Sequence, residues 1–187
     1  MGPVIHLIGL LTDQNSSFAR GAALAPPAIR AALWSDRGNL SAQSGLEIGT
    51  DVMLKDLGDL PLSDDDCAAD DALILRAVTE SMEADAIPLL LGGDHAVTHP
   101  ILDGPLYISV DLHGIDPSEA PGVAHPEPGG LTVREVLSII AKQRARIVGA
   151  DIVELNPARD VNDITAIVAA KLVREIAAQM HQNYDHI

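Results

Sequence analysis

Apolar residues in this chain fall into short runs separated by longer amphipathic stretches. Val4 to Leu11, Ile87 to Leu91, Leu106 to Val110 and Ile147 to Ile152 are nearly unbroken, and Asp51 to Leu57 is a mixed run ending at Gly58. Runs of this length, bounded by Gly, Pro or Asp, read as strands buried on both faces. Between them, Ala28 to Trp34 reads as a helix opened by Pro26 and Pro27, whose fixed φ suits a first turn. Ser63 or Asp64 is placed to cap a second helix with apolar positions Leu73, Leu75, Ala77, Val78 and Met82. Thr132 with Glu135 three residues on is a capping-box pattern. Asp163 to Gln182 carries Ile164, Ile167, Val168, Leu172, Ile176 and Met180 at helical spacing. Gly38 to Gly49 reads as loop, and Ala96 to Leu102 as a brief helix at most. Strand and helix alternate, so the pattern predicts an α/β domain over residues 1–187, a three-layer αβα arrangement around a mainly parallel sheet of about five strands.

Three of the strands stop at polar residues. Leu89 to Leu91 runs into Gly92, Gly93, Asp94 and His95. Leu106 to Val110 runs into Asp111, His113 and Asp116. Ile147 to Ile152 leads to Glu154, Asn156 and Pro157. Side chains two apart on a strand share a side, so Asp111 and His113 project together. The C-terminal edge of an open α/β sheet is where ligands bind. His95, Asp111 and His113 form a two-histidine, one-carboxylate set of the kind that suits Zn²⁺, Fe²⁺, Ni²⁺ or Mn²⁺. The bland alternative is that they are solvated or hydrogen-bonded groups at strand ends. Gly92 and Gly93 lack the further glycine and lysine of a phosphate loop, which sets nucleotide binding aside. Asp116 before Pro117 reads as a loop anchor through side-chain-to-backbone bonds.

Composition narrows the partners. The chain has 187 residues, 47% hydrophobic, with only 2% aromatic, so its core must be built from Ala, Val, Ile and Leu. A net charge of −15 argues against nucleic acid and anionic membrane surfaces and favours a cationic ligand. The single cysteine, Cys67, permits no internal disulfide and points to a reducing, cytoplasmic setting. No stretch is long and apolar enough to predict a membrane span.

In order along the chain, Gly92-Gly-Asp-His95, Ser109-Val-Asp-Leu-His-Gly-Ile-Asp-Pro117, Pro128-Gly-Gly-Leu131 and Val148-Gly-Ala-Asp-Ile-Val-Glu-Leu-Asn-Pro157 resemble the motifs of the ureohydrolase family, the arginases and agmatinases. The segment from Gly21 to Arg30 resembles that family's N-terminal segment. The family's Asp-Ala-His-x-Asp motif has no counterpart here, and His113 stands where the family has a second aspartate. The resemblance implies an eight-strand sheet ordered 2-1-3-8-7-4-5-6, from which this chain keeps 2-1-3-8-7 and lacks one contiguous edge. It implies a hydrolase of linear amidines that splits a guanidino C–N bond and releases urea, using Mn²⁺. His95 and Asp111 match two of six metal ligands, His113 occupies a third position, and the other three are missing, so at most one divalent ion is expected and activity is expected to be reduced or lost. Glu154 matches the glutamate that pairs with the substrate guanidinium. A homo-oligomer is implied. The alternative is a non-catalytic relative that acts as an oligomer or partner-binding subunit.

Overall fold

In the computed structural model, residues 2–16, 18–36, 38–63, 66–95, 98 and 106–184 are described. Five strands, β1 Val4–Leu10, β2 Met53–Leu60, β3 Ala86–Leu91, β4 Leu106–Asp111 and β5 Ile147–Val153, form one sheet. All four ladders are parallel, in the order β2-β1-β3-β5-β4. That is the order implied by removing one contiguous edge from the eight-strand sheet. The helices are α1 Ala25–Leu33, α2 Cys67–Glu83, α3 Val133–Ala141 and α4 Ile164–Gln182.

Alternation along the strands sorts side chains into two layers. Ile5 and Leu7 of β1 and Ile87, Leu89 and Leu91 of β3 face the layer of α1, α3 and α4, where they join Ile29, Leu33, Leu137, Leu172, Val173 and Ile176 in the main core. Ile8, Leu10 and Leu90 face α2 with Ile74, Val78 and Val153. The α2 layer is thinner and more polar. His6 of β1 is buried and its Nδ1 lies 3.0 Å from Ser81 Oγ of α2.

Several boundaries differ from the sequence reading. Asp66 caps α2, taking the Ala69 N–H at 3.1 Å, instead of Ser63; Asp64 lies outside the described residues. The buried face of α2 is Asp70, Ile74, Val78 and Ser81, spaced three to four apart, which turns Leu75 and Met82 outward at 51% and 56% exposure. Here i, i+4 geometry overrides raw hydrophobicity. β2 runs through Gly58 to Leu60, because Gly58 takes φ 80° without a side chain to clash and Arg30 binds its carbonyl at 2.9 Å. α1 begins at Ala25, so Pro26 and Pro27 lie in its first turn. The Thr132–Glu135 capping box forms as the sequence suggests, with Thr132 N donating to Glu135 Oε2 at 2.8 Å and Glu135 N donating to Thr132 Oγ1 at 3.2 Å. The brief helix read over Ala96–Leu102 falls almost wholly outside the described residues. No helix among the described residues is long and apolar enough to cross a membrane.

This core assignment makes a paired prediction. Leu89, fully buried on the central strand, should cost about 2–5 kcal/mol of unfolding free energy on replacement by Ala. Leu75→Ala, on the outward face of α2, should stay within about 0.5 kcal/mol. Urea unfolding followed by circular dichroism measures both; equal costs would refute the assigned helix face.

Candidate active site

The ends of β3, β4 and β5 are drawn together by backbone bonds beyond the strands themselves. Gly92 N donates to Ile152 O at 2.8 Å, and Glu154 N donates to Gly93 O at 2.8 Å. Gly93 has no room for a side chain, since a Cβ there would sit 1.6 Å from the Thr12 carbonyl oxygen. The glycine therefore lets the loop after β1 close on the end of β3. Asp94 is not presented to solvent. It is buried, and its carboxylate takes the Asn15 N–H at 2.7 Å, tying the same two segments. His95 is the first side chain of the motif to reach the open edge.

Four of the residues singled out from sequence meet there. His95 Nδ1 lies 3.2 Å from Asp111 Oδ2, and His113 Nδ1 lies 3.0 Å from Asp111 Oδ1. Asp111 also caps the short turn Leu112–Gly114, accepting the His113 N–H at 2.8 Å. Glu154 Oε1 accepts the His95 backbone N–H at 2.9 Å, and its Oε2 stands 3.9 Å from His113 Nδ1. Glu154 takes φ 71°, a left-handed conformation that a glutamate rarely adopts. Ladder and loop contacts on both sides hold it there and aim its carboxylate back over the β3 end. Left-handed strain of this sort is stored chiefly at functional positions.

Burial pushes the Glu154 carboxyl up from its ordinary value, against the His95 N–H bond that holds it down. Burial also acts upward on Asp111, but the His113 side-chain and backbone bonds and the nearby His95 win, and its pKa is lowered. His113 is raised, chiefly by its bond to Asp111 and against burial. Its Nε2 is buried and has no hydrogen-bond partner among the described residues. The His113 ring sits 5.6 Å from the His125 ring, which lies 5.5 Å from that of Phe18, so His125 forms part of the wall of the cleft.

Behind these groups is a hub that sequence reading missed. Asp151, fully buried on β5, accepts Ser109 Oγ at 2.7 Å, Thr98 Oγ1 at 2.8 Å and Tyr107 Oη at 3.1 Å. Burial raises its pKa against the three hydroxyl bonds. Ser109 Oγ also lies 3.4 Å from His95 Nε2. The signal available was an aspartate inside an otherwise apolar run, which demands partners. Asp116 does anchor its loop, accepting Ser118 N at 2.9 Å and Gly129 N at 2.8 Å. His99 lies outside the described residues.

The donors do not converge as one metal-ligand set. His95 and His113 address different oxygens of Asp111, and among the described residues no group of three His, Cys, Asp or Glu is arranged to hold a metal ion. A divalent ion of the kind the resemblance implies is thus not matched by this arrangement as it stands. What remains is a carboxylate held between two imidazoles, next to a second, partly desolvated carboxylate that can meet a cation.

The elevated His113 pKa has a thermodynamic consequence. A raised folded-state value means that protonation favours the fold. The stabilisation is complete below the unfolded value near 6.5 and fades as pH rises through the raised folded value. In metal-free protein the urea midpoint should therefore fall across that window, and His113→Gln should flatten the dependence. An unchanged slope in the variant would rule this out.

Comparison with known proteins follows the same lines. A model of the Arginase family matches residues 4–105 and 102–178, its two segments meeting just before β4. Arginase 1, mitochondrial, of Arabidopsis thaliana is 31% identical over 274 aligned positions, covering 93% of this chain and 80% of the relative. That span exceeds the 187 residues present here, so a long stretch of the relative has no counterpart in this chain. An agmatinase of Bacillus anthracis is 42% identical over 81 residues, 41% of this chain and 28% of its own. The structure of an arginase from Medicago truncatula superposes with a TM-score of 0.89 at 28% identity, covering 96% of this chain and 88% of that one. An agmatine ureohydrolase of Thermoplasma volcanium shares the fold, with a TM-score of 0.86 at 23% identity over all of this chain and 93% of that one. With the family match spanning nearly the whole chain, and with a relative 31% identical over 93% of it, the chain belongs to the arginase family.

Proposed function

We propose that this chain recognises a linear guanidino compound and that its hydrolysis of the guanidino C–N bond is weak or lost. Both oxygens of Asp111 are engaged by imidazoles, while Glu154 beside them brings a second carboxylate to the same cleft with its Oε2 3.9 Å from His113 Nδ1, and this grouping carries the reading. A carboxylate can accept two parallel N–H bonds from a guanidinium. Glu154 Oε1 already takes one backbone N–H, but each carboxylate oxygen has a second acceptor site. The net charge of −15 draws such a cation towards the cleft.

His95, Asp111 and His113 are the candidate ligands of a divalent ion, Mn²⁺ by family resemblance. Holding it would require His113 to leave its carboxylate oxygen, so at most one weakly bound ion is expected. The chain's own residues supply cation recognition at Glu154, an ionised carboxylate at Asp111 and two imidazoles positioned by it. The second reading, a non-catalytic relative that binds without turnover, follows from the same observation. The lone Cys67 fits a cytoplasmic setting.

Urea release from arginine and agmatine, with and without added Mn²⁺, tests the proposal. Little or no urea is expected, together with measurable agmatine binding by calorimetry. Glu154→Ala should abolish that binding and leave any Mn²⁺ affinity nearly unchanged. Robust urea production unaffected by Asp111→Ala would show the assigned roles to be wrong.

The elevated Glu154 pKa adds a pH test. Cation binding needs the ionised carboxylate, so agmatine affinity should strengthen as pH rises through a value above the ordinary glutamate range. A binding curve flat across acidic pH would remove Glu154 from the role.

A further inference from the structure

The sheet has two edges, and they are built differently. The β2 edge carries Lys55, Asp56 and Asp59, a glycine at φ 80° and an irregular register with β1 between Leu7 and Gly9. Arg30 of α1 closes it further, binding Asp56 at 2.8 Å, Asp59 and the Gly58 carbonyl. Charges, irregularity and a covering side chain are how proteins keep an edge strand from pairing with another chain.

The β4 edge has an irregularity only at its start, in the register with β5 between Leu106 and Tyr107, and from there on runs regularly to Asp111. Its sequence, Leu-Tyr-Ile-Ser-Val-Asp, holds no proline and no charge before the terminal Asp111. It pairs with β5 on one side only, and among the described residues no backbone bond reaches its other side. In a parallel pair alternate residues turn their N–H and C=O to the neighbour, so every second residue of β4 has these groups facing outward. Leu106, Ile108 and Val110 pack against the main core yet remain only partly buried. The place is also where the two matched segments of the family meet.

Charge indicates what fits. The connection from α3 into β5, beside the start of β4, carries exposed Lys142 and Arg144, and among the described residues Arg144 binds backbone carbonyls, of Ala141 and Gln143. The other end of β4 carries Asp111, with Glu154 across the cleft. An antiparallel copy of β4 would set each basic end beside the partner's acidic end. A two-fold interface must be self-complementary in this way. A parallel neighbour would set like against like.

We propose that β4 is a self-association edge: two copies of this chain pair antiparallel through Leu106–Asp111, joining two five-strand sheets into one of ten strands. Six residues give an edge of roughly 20 Å, enough for a continuous ladder. The pairing would supply outer hydrogen bonds to β4 and complete the cover of Leu106, Ile108 and Val110.

Sedimentation velocity on the full chain tests this. The expected result is a species of twice the 19.6 kDa chain mass, with β4 amides slow in hydrogen exchange. Ile108→Lys should yield a folded monomer. If that variant fails to fold, the exposed double change Lys142→Glu with Arg144→Glu decides the matter, and it should raise the dimer dissociation constant by about fivefold or more. A chain that stays monomeric overturns the proposal, as does a dimer indifferent to the charge reversal, or a monomer whose β4 edge instead takes up a peptide from the relatives' additional stretch.

Discussion

The short ladder between β3 and β5 is the constraint on which the rest of the molecule depends. It consists of three register pairs, Leu89 with Ala150, Leu90 with Asp151 and Leu91 with Ile152. It joins the β2-β1-β3 half of the sheet to the β5-β4 half, and it sets the two walls of the cleft side by side. His95 leaves the end of one strand and Glu154 the end of the other, and the bond from His95 N to Glu154 closes the gap between them. A shift of one residue would turn Leu90 and Asp151 to the opposite face and carry the hydroxyl cage away from its carboxylate.

Much of this was legible in the sequence because the strands are buried on both faces and so are written as plain apolar runs. Four of five strands were placed to within a residue or so at each end, and the strand order followed once the family motifs had been assigned to them. The amphipathic elements were harder. α2 shows Leu73, Leu75, Ala77 and Met82 as tempting core positions, yet its inward stripe also includes Asp70 and Ser81, which the thinner, polar layer accommodates through Asp70 bonding the Ser63 backbone and Ser81 bonding His6. Sequence patterning assumes an apolar interior, and that layer is only partly so.

The site shows the same division. That His95, Asp111, His113 and Glu154 would gather at one edge follows from period-two alternation and from strand ends. How they would face one another does not. The orientation depends on the left-handed φ of Glu154, the turn that Asp111 caps and the pull of Asp94 onto Asn15, none of which has a periodic signature. Asp94 illustrates the limit well. It neighbours His95 in the motif, but Gly93 lets the backbone pass so close to Thr12 that the aspartate is drawn into the loop as an anchor.

The strand order has a consequence for biosynthesis. β5 lies between β3 and β4 in the sheet but follows both in the chain. While the polypeptide is still being made, the run Ala-Ile-Pro-Leu-Leu-Leu of β3, buried along its whole length in the finished molecule, has a partner on one side only. Until Ile147–Val153 emerges and slides into the vacant central lane, the nascent chain carries its most apolar strand as a bare edge, the kind of surface that chaperones hold and that aggregates nucleate on. α4, the last helix, then seals the main core over it. The middle of this sheet is therefore the part most exposed to synthesis stalling or truncation, even though it is the best protected part of the folded protein.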